Sequence, residues 1–274
     1  MSSYSNNHIT SKVTTAQLQA MKDAGEKIAC ITAYDYTMGR LVDAAGVDVV
    51  LVGDSAANVM MGYDTTLPIT LDDMITFSKG TVRGVQRALV VVDLPFGYYQ
   101  GSIDKAVDSA VRVMKETGAA ALKLEGGVEI REQIEHILGA GIPVCGHLGL
   151  TPQSVNKFGG YGVRAKGDTE AERLMNDALM LQELGCFAVV LEKIPAKLAA
   201  NVTQALTIPT IGIGAGSATD GQVLVVQDML GMNEGFKPKF MRYFGHIGET
   251  ITDSVANYIG QVKNITYPSS DESY

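Results

Sequence analysis

The chain has 274 residues, 46% hydrophobic and 19% charged, which fits a globular protein of one domain or two and excludes disordered and fibrous classes. Its 22 Lys and Arg against 30 Asp and Glu leave a net charge of −8, which repels polyanions and argues against nucleic acid as a partner. No apolar run approaches the roughly 18 residues of a membrane helix, and the polar start lacks a secretory pattern, so a cytoplasmic protein without membrane contact is expected.

Residues 1–10 read as a disordered N-terminus. From there, short β-branched runs alternate with helical periodicity. Strands are expected at Ile28–Tyr34, Asp48–Gly53, Ala88–Asp93, Ala119–Glu125, Ile142–His147, Phe187–Glu192, Ile208–Ile213 and Val223–Gln227. Between them, Lys105–Thr117, Ile130–Ala140 and Glu170–Leu184 are amphipathic, each followed by a glycine placed to end a helix (Gly118, Gly141, Gly185). Eight strand-then-helix units imply parallel strands with right-handed crossovers closed into an α/β (β/α)8 TIM barrel. An open doubly wound sheet would carry GxGxxG after an early strand, whereas Gly212-Ile-Gly-Ala-Gly216 comes late and lacks that spacing. The step from Ile208 to Val223 is short for a parallel crossover, so a very short seventh helix is expected there.

Two long connections follow strands: Ser55 to about Leu71, containing Met60-Met61-Gly62-Tyr63, and Leu148 to about Asp168, containing Gly159-Gly160-Tyr161-Gly162. They read as walls of an active site. Gly245–Lys263 reads as a terminal helix closing one domain of 11–267, with 268–274 a flexible tail. Cys30, Cys145 and Cys186, an odd count without CxxC pairing, read as reduced, buried thiols.

Chemistry in such a barrel belongs at the carboxyl ends of its strands. Strand two runs into Asp54-Ser55, strand three ends at Asp93, strand four carries Lys123 and Glu125 on one face, strand five reaches His147, and strand six ends at Glu192. Acids crowded on one rim repel unless a cation neutralises them or one stays protonated. An all-oxygen set from Asp54, Asp93 and Glu125 suits a hard ion such as Mg2+, with Mn2+ or Co2+ as substitutes; helix caps and solvated acids are the alternative. Lys123 reads as a partner of Glu125, a substrate-binding cation or a Schiff base. Glu192, farther round the ring, reads as an acid or base or a satisfied rim residue, and His147 as a proton shuttle or a hydrogen-bonded neighbour. Gly212, Gly214 and Gly216 either cradle a phosphate or permit a tight turn. These residues point to a metal-dependent barrel enzyme that removes a proton next to a carbonyl of a small anion.

The strings Ile31-Thr-Ala-Tyr-Asp35-Tyr, Leu51-Val-Gly-Asp-Ser55, Thr66-Leu-Pro-Ile, Leu122-Lys-Leu-Glu-Gly-Gly127, Pro143-Val-Cys-Gly-His-Leu-Gly-Leu-Thr-Pro-Gln-Ser154, Phe158-Gly-Gly-Tyr161 and Ile211-Gly-Ile-Gly-Ala-Gly216 together resemble the ketopantoate hydroxymethyltransferase family, in order from about residue 11 to 265. The resemblance implies a barrel of the phosphoenolpyruvate/pyruvate-type superfamily. It also implies the first committed step of pantothenate and coenzyme A synthesis: transfer of a hydroxymethyl group from 5,10-methylenetetrahydrofolate to 3-methyl-2-oxobutanoate through a metal-stabilised enolate. With it come Mg2+ on Asp54, Asp93 and Glu125, the oxoacid held by Asp54, Ser55, Asp93 and Lys123, Glu192 as proton acceptor, and a cytoplasmic homodecamer. A folate slot near Met60–Tyr63 is expected without being located.

Two rivals remain at this level. A lyase or mutase similar to isocitrate lyase and phosphoenolpyruvate mutase would use related chemistry, and Cys145-Gly-His147 is similar to the lyase's Cys-Gly-His segment, although Pro143-Val144 precedes it where that segment has two lysines. A non-catalytic metabolite-binding barrel would need no base, which the set of Asp54, Asp93, Lys123, Glu125 and Glu192 argues against.

Overall fold

Period-two alternation turns one set of side chains of each short run into the barrel lumen and the other toward the helices. In a computed structural model, which describes residues 12–233, 235 and 238–274, eight such runs form a closed parallel barrel in sequential order. The strands are β1 (Ile28–Thr32), β2 (Val49–Val52), β3 (Leu89–Asp93), β4 (Ala121–Glu125), β5 (Val144–Gly149), β6 (Ala188–Glu192), β7 (Thr210–Ile213) and β8 (Gly221–Leu224). The expected disordered segment 1–10 lies outside the described residues.

Helix α1 (Thr15–Asp23) precedes β1 and α2 (Tyr36–Ala44) follows it. The short α3 (Ala56–Val59) and α4 (Leu71–Gly84) follow β2, α5 (Ile103–Thr117) follows β3, and α6 (Arg131–Gly139) follows β4. After β5 come α7 (Val155–Phe158) and α8 (Asp168–Leu184), and after β6 comes α9 (Ala196–Ala205). Helices α5 and α8 stop at Gly118 and Gly185, as expected.

The lumen is filled by Cys30, Val49, Leu89, Val91, Ala121, Cys145, Ala188, Val190, Ile211 and Val223. Val13 and Leu18 join that cluster from the segment around α1. Hydrogen bonds show where α1 lies: Val13 N donates to Arg87 O at 2.7 Å, Gln19 Nε2 to Thr207 O at 2.8 Å, and Lys22 Nζ to Asp220 Oδ2 at 2.7 Å. Arg87, Thr207 and Asp220 all stand just before strands, so α1 crosses the amino-terminal end of the barrel and stoppers it.

Two expectations are corrected near the seam. The eighth strand is Gly221–Leu224 rather than Val223–Gln227, because its register is set by Gly221 opposite both Ile28 and Ile211. A Cβ on Gly221 would come within 2.5 Å of Ile28 O, so the close approach requires glycine. No helix, however short, separates β7 from β8; residues 214–220 form bends. Asp220 Oδ2 accepts from Thr210 N at 2.9 Å and Thr210 Oγ1 at 3.0 Å, tying the start of β7 to the start of β8 directly. The glycine-rich string is this tight turn.

The chain divides into two compact units after Leu224. The second contains α10 (Val226–Met229), α11 (Ile247–Lys263) and a single 3-10 turn at Ser270–Glu272. No helix among the described residues is long and apolar enough to cross a membrane.

Candidate active site

Parallel register stacks the polar rim directly on the apolar lumen. Asp93 lies level with Lys123, Glu125 with His147, and Gly149 with Glu192. Asp93, Lys123, His147 and Glu192 each stand two residues beyond a lumen residue of their own strand (Val91, Ala121, Cys145, Val190), and Glu125 four beyond Ala121, so all face inward. Asp54 and Ser55 follow β2 by one glycine. Asp54, Asp93, Lys123, Glu125 and His147 are buried; Ser55 and Glu192 keep partial exposure.

Lys123 occupies the centre, its Nζ 3.2 Å from Asp93 Oδ2, 3.8 Å from Glu125 Oε1 and 3.1 Å from His147 Nδ1. Burial alone would discharge it, but Asp93, Glu125 and Asp54 together hold its pKa above the ordinary value, so it stays an ammonium. His147 links the two halves of the rim, with Nδ1 3.4 Å from Glu125 Oε1 and Nε2 3.4 Å from Glu192 Oε2. Burial and Lys123 oppose charge on the ring, yet Glu125 and Glu192 outweigh them and push its pKa up to about 9. The contact with Lys123 pulls the other way, since an ammonium at 3.1 Å needs the lone pair of Nδ1. Nδ1 is thus claimed from both sides, as a lone pair by Lys123 and as a donor by Glu125, while Nε2 faces Glu192.

Three buried carboxylates share one fixed cation. Burial first, then Glu125 and Asp93, raise the Asp54 pKa well above the carboxylate range, against Lys123 and a hydrogen bond from Gln153. Asp93 is also raised by burial, although Lys123 opposes it. Its Oδ2 accepts from Asp54 N at 3.1 Å, while its buried Oδ1 has no hydrogen-bond partner. Glu125 moves the other way: burial is outweighed by His147, Lys123 and the Gln153 backbone, which lower its pKa. Negative charge is therefore undercompensated on the side of Asp54 and Asp93.

Among the described residues, no three His, Cys, Asp or Glu side chains converge tightly enough to cage a metal ion. Asp54, Asp93 and Glu125 do stand at the ends of three successive strands, with the Lys123 ammonium between Asp93 and Glu125. Mg2+ commonly takes only one or two carboxylates and completes its shell with water and substrate oxygens, so a protein-only cage is not required. The hard oxygen donors and the orphaned Asp93 Oδ1 fit such an ion.

Five residues in this site had no role assigned from sequence. Gln153 and Tyr99 lie between the acids: Gln153 Nε2 donates to Asp54 Oδ2 at 2.9 Å, and Tyr99 OH accepts from Glu125 N at 3.0 Å. Tyr34 OH is 2.7 Å from Ser55 Oγ. The half-exposed Tyr161 has its phenol pKa raised by partial burial, then by Asp54 and Glu192, and its carbonyl is tied to the residue after Glu192 at the mouth. Lys193, immediately after Glu192, has φ 45°, donates from Nζ to the Tyr161 carbonyl, and accepts from Arg164 N at 2.8 Å. It ties the 159–164 loop to the strand bearing Glu192. Gln153, Tyr34 and Tyr161 fall inside the motif strings above; Tyr99 carried no signal. Gly149 has φ 92°, and a Cβ there would lie 2.3 Å from Glu192 O, so only glycine lets β5 pass the Glu192 backbone.

Cys30, Cys145 and Cys186 are free and buried. Burial pushes the Cys145 thiol up to about 12, which leaves it inert, level with Lys123 and two residues below His147 on β5. A cavity of about 390 Å³ opens beside the rim, lined by Gly126, Gly149, Phe158, Arg164 and Asp177 among others, but by none of the rim acids.

The sequence profile of the ketopantoate hydroxymethyltransferase family matches residues 12–270. A 3-methyl-2-oxobutanoate hydroxymethyltransferase of Parabacteroides distasonis is 62% identical over 263 residues, covering 96% of each chain. One of Porphyromonas gingivalis is 61% identical over 265 residues, covering 97% of each. Among solved structures, a phosphoenolpyruvate phosphomutase from Streptomyces platensis subsp. rosaceus superposes with a TM-score of 0.62 at 15% identity, covering 92% of this chain and 88% of that one. That likeness establishes the shared barrel.

Proposed function

The chain belongs to the ketopantoate hydroxymethyltransferase family, and from that premise we propose that it transfers a hydroxymethyl group from 5,10-methylenetetrahydrofolate to 3-methyl-2-oxobutanoate, giving 2-dehydropantoate. The observation that carries the reading is the division of the rim: a cation-bearing acid cluster at Asp54, Asp93, Lys123 and Glu125 on one side, and the partly exposed Glu192 across His147 on the other.

Lys123, held as an ammonium, binds the carboxylate or keto oxygen of the oxoacid and stabilises the negative charge that reaches that oxygen when C3 loses its proton. Ser55 and Asp93 orient the same end. A divalent cation on Asp54, Asp93 and Glu125, Mg2+ with Mn2+ or Co2+ as substitutes, would supply further positive charge to the carbonyl. Glu192 takes the C3 proton, with His147 Nε2 standing 3.4 Å from its Oε2. The enolate carbon then attacks the folate-borne methylene as its bond to one folate nitrogen breaks and that nitrogen takes up a proton; water then displaces the second nitrogen, which takes a proton from it, leaving the hydroxymethyl product and tetrahydrofolate. The exposed Met60, Met61, Tyr63 and Tyr161 belong to the two long loops expected to wall the site and offer apolar surface for a flat pterin.

The working form is a homo-oligomer, a decamer by family likeness, in the cytoplasm. The test is Mg2+-dependent exchange of the C3 hydrogen of the oxoacid with solvent deuterium, with and without tetrahydrofolate. Exchange is expected; its absence would leave a metabolite-binding barrel, and release of glyoxylate from isocitrate would indicate a lyase instead.

A further inference from the structure

Gln153 sits in the 3-10 turn Pro152–Ser154 after β5 and is buried, 5% exposed, among groups from three other strand ends. Every hydrogen-bonding position of its amide is filled. Oε1 accepts from Tyr99 OH at 2.7 Å and Gln100 Nε2 at 2.8 Å; Nε2 donates to Asp54 Oδ2 at 2.9 Å and Leu94 O at 3.0 Å. Its backbone N donates to Glu125 Oε2 at 3.0 Å. One residue therefore grips the acid after β2 and the acid that ends β4, and is itself anchored on the connection after β3.

We infer that Gln153 is a positioning residue that locks Asp54 and Glu125 by one oxygen each, so that their other oxygens are presented to the cation and the oxoacid. The two carboxylates come from strands that are not neighbours, and nothing in the barrel ladder fixes their side-chain torsions. The amide orientation cannot reverse, because Tyr99 and Gln100 present donors to Oε1 while Asp54 and Leu94 present acceptors to Nε2. A carboxylate at this place would bring a third negative group against Asp54, beside Glu125 and Asp93, and an apolar side chain would leave Asp54 free to turn. The inference rests on the proposed reaction only for the identity of the oxoacid.

The test compares Gln153→Met and Tyr99→Phe with the wild type by calorimetric titration of Mg2+ and of 3-methyl-2-oxobutanoate onto the full chain, together with the C3 exchange rate. Gln153→Met should weaken both bindings by about 10- to 100-fold, the range for residues that orient metal-holding carboxylates. The exchange rate at saturation should stay within about threefold, because Glu192 and His147 are untouched, so KM moves and kcat does not. Tyr99→Phe, which removes the hydroxyl on Gln153 Oε1, should shift both bindings in the same direction by less. Bindings within about twofold of wild type in folded Gln153→Met, or a fall in exchange with bindings unchanged, overturn the inference; if Gln153→Met does not fold, Tyr99→Phe decides on the same readings. A wild type that binds no Mg2+ overturns it as well, whereas a wild type that binds Mg2+ without exchanging C3–H removes only the proposed reaction.

Discussion

Asp54 is held in a state its surroundings oppose: buried, faced by Glu125 and Asp93, and only partly compensated by Lys123 and Gln153. A carboxyl whose folded pKa is raised contributes stability below its unfolded pKa and loses that contribution as pH rises through the folded one. Metal-free protein should therefore lose this contribution as pH rises, and added Mg2+ should restore it. Melting curves with and without Mg2+ should show a gain in Tm that grows as pH rises above the ordinary carboxylate range. In the same metal-free state, Asp54→Asn keeps an oxygen for Gln153 Nε2 but removes the charge, so it should raise stability by about 1 kcal/mol while abolishing turnover, the usual trade at a functional site. Lys123→Met should raise the KM for the oxoacid and also lower kcat, since the ammonium serves both binding and charge stabilisation. Because carboxylates keep Lys123 protonated, borohydride should trap no adduct with the oxoacid; a trapped adduct would mean a Schiff base. Glu192→Gln should leave Mg2+ and oxoacid binding nearly normal and cut C3–H exchange by about 10²- to 10⁴-fold. If exchange survives and only hydroxymethyl transfer fails, the base lies elsewhere, with His147 the next residue to substitute.

At the scale of elements, the apolar runs made seven of the eight strands readable to within two residues at each end. Each run alternates lumen and helix-facing positions, and α5 and α8 end at left-handed glycines, Gly118 and Gly185. The eighth was displaced because Val223-Leu-Val-Val-Gln looks like one strand, while the ladder to Ile28 begins at Gly221 and the second half of the run turns into α10. The missing helix between β7 and β8 was illegible for a related reason: the Asp220 bonds to Thr210 that make a short link sufficient are contacts across the seam. At the site, acids at strand ends announced themselves by position. Gln153 and Tyr99 did not, because an amide and a phenol inside loops show their importance only through what they touch. The α1 stopper is testable by the same contacts. Leu18, 1% exposed against the lumen core, should cost about 2–5 kcal/mol on Leu18→Ala, read as a lowered denaturant midpoint with unchanged slope.

For the whole molecule, α11 presents Ile247, Ile251, Val255, Tyr258, Ile259 and Val262 at 37% to 55% exposure, an apolar stripe at helical spacing. Surface of this kind suits a second copy of the chain, and light scattering should return a mass near ten times the 29.1 kDa of one chain. Val255→Asp should lower that mass while the barrel's far-ultraviolet signal persists; a monomeric wild type would refute the decamer. The stopper formed by α1 has a kinetic consequence of its own. A vessel closed at one end admits and discharges everything through a single doorway, and Lys123 stands at its floor with Tyr161 near the sill. With the proposed folate seated in that doorway, the small oxoacid would have to enter first, and the spent folate would have to depart before the hydroxymethylated product could escape. Initial-rate and product-inhibition patterns should accordingly be those of a compulsory queue, with tetrahydrofolate released first, and random-order patterns would show a second way in.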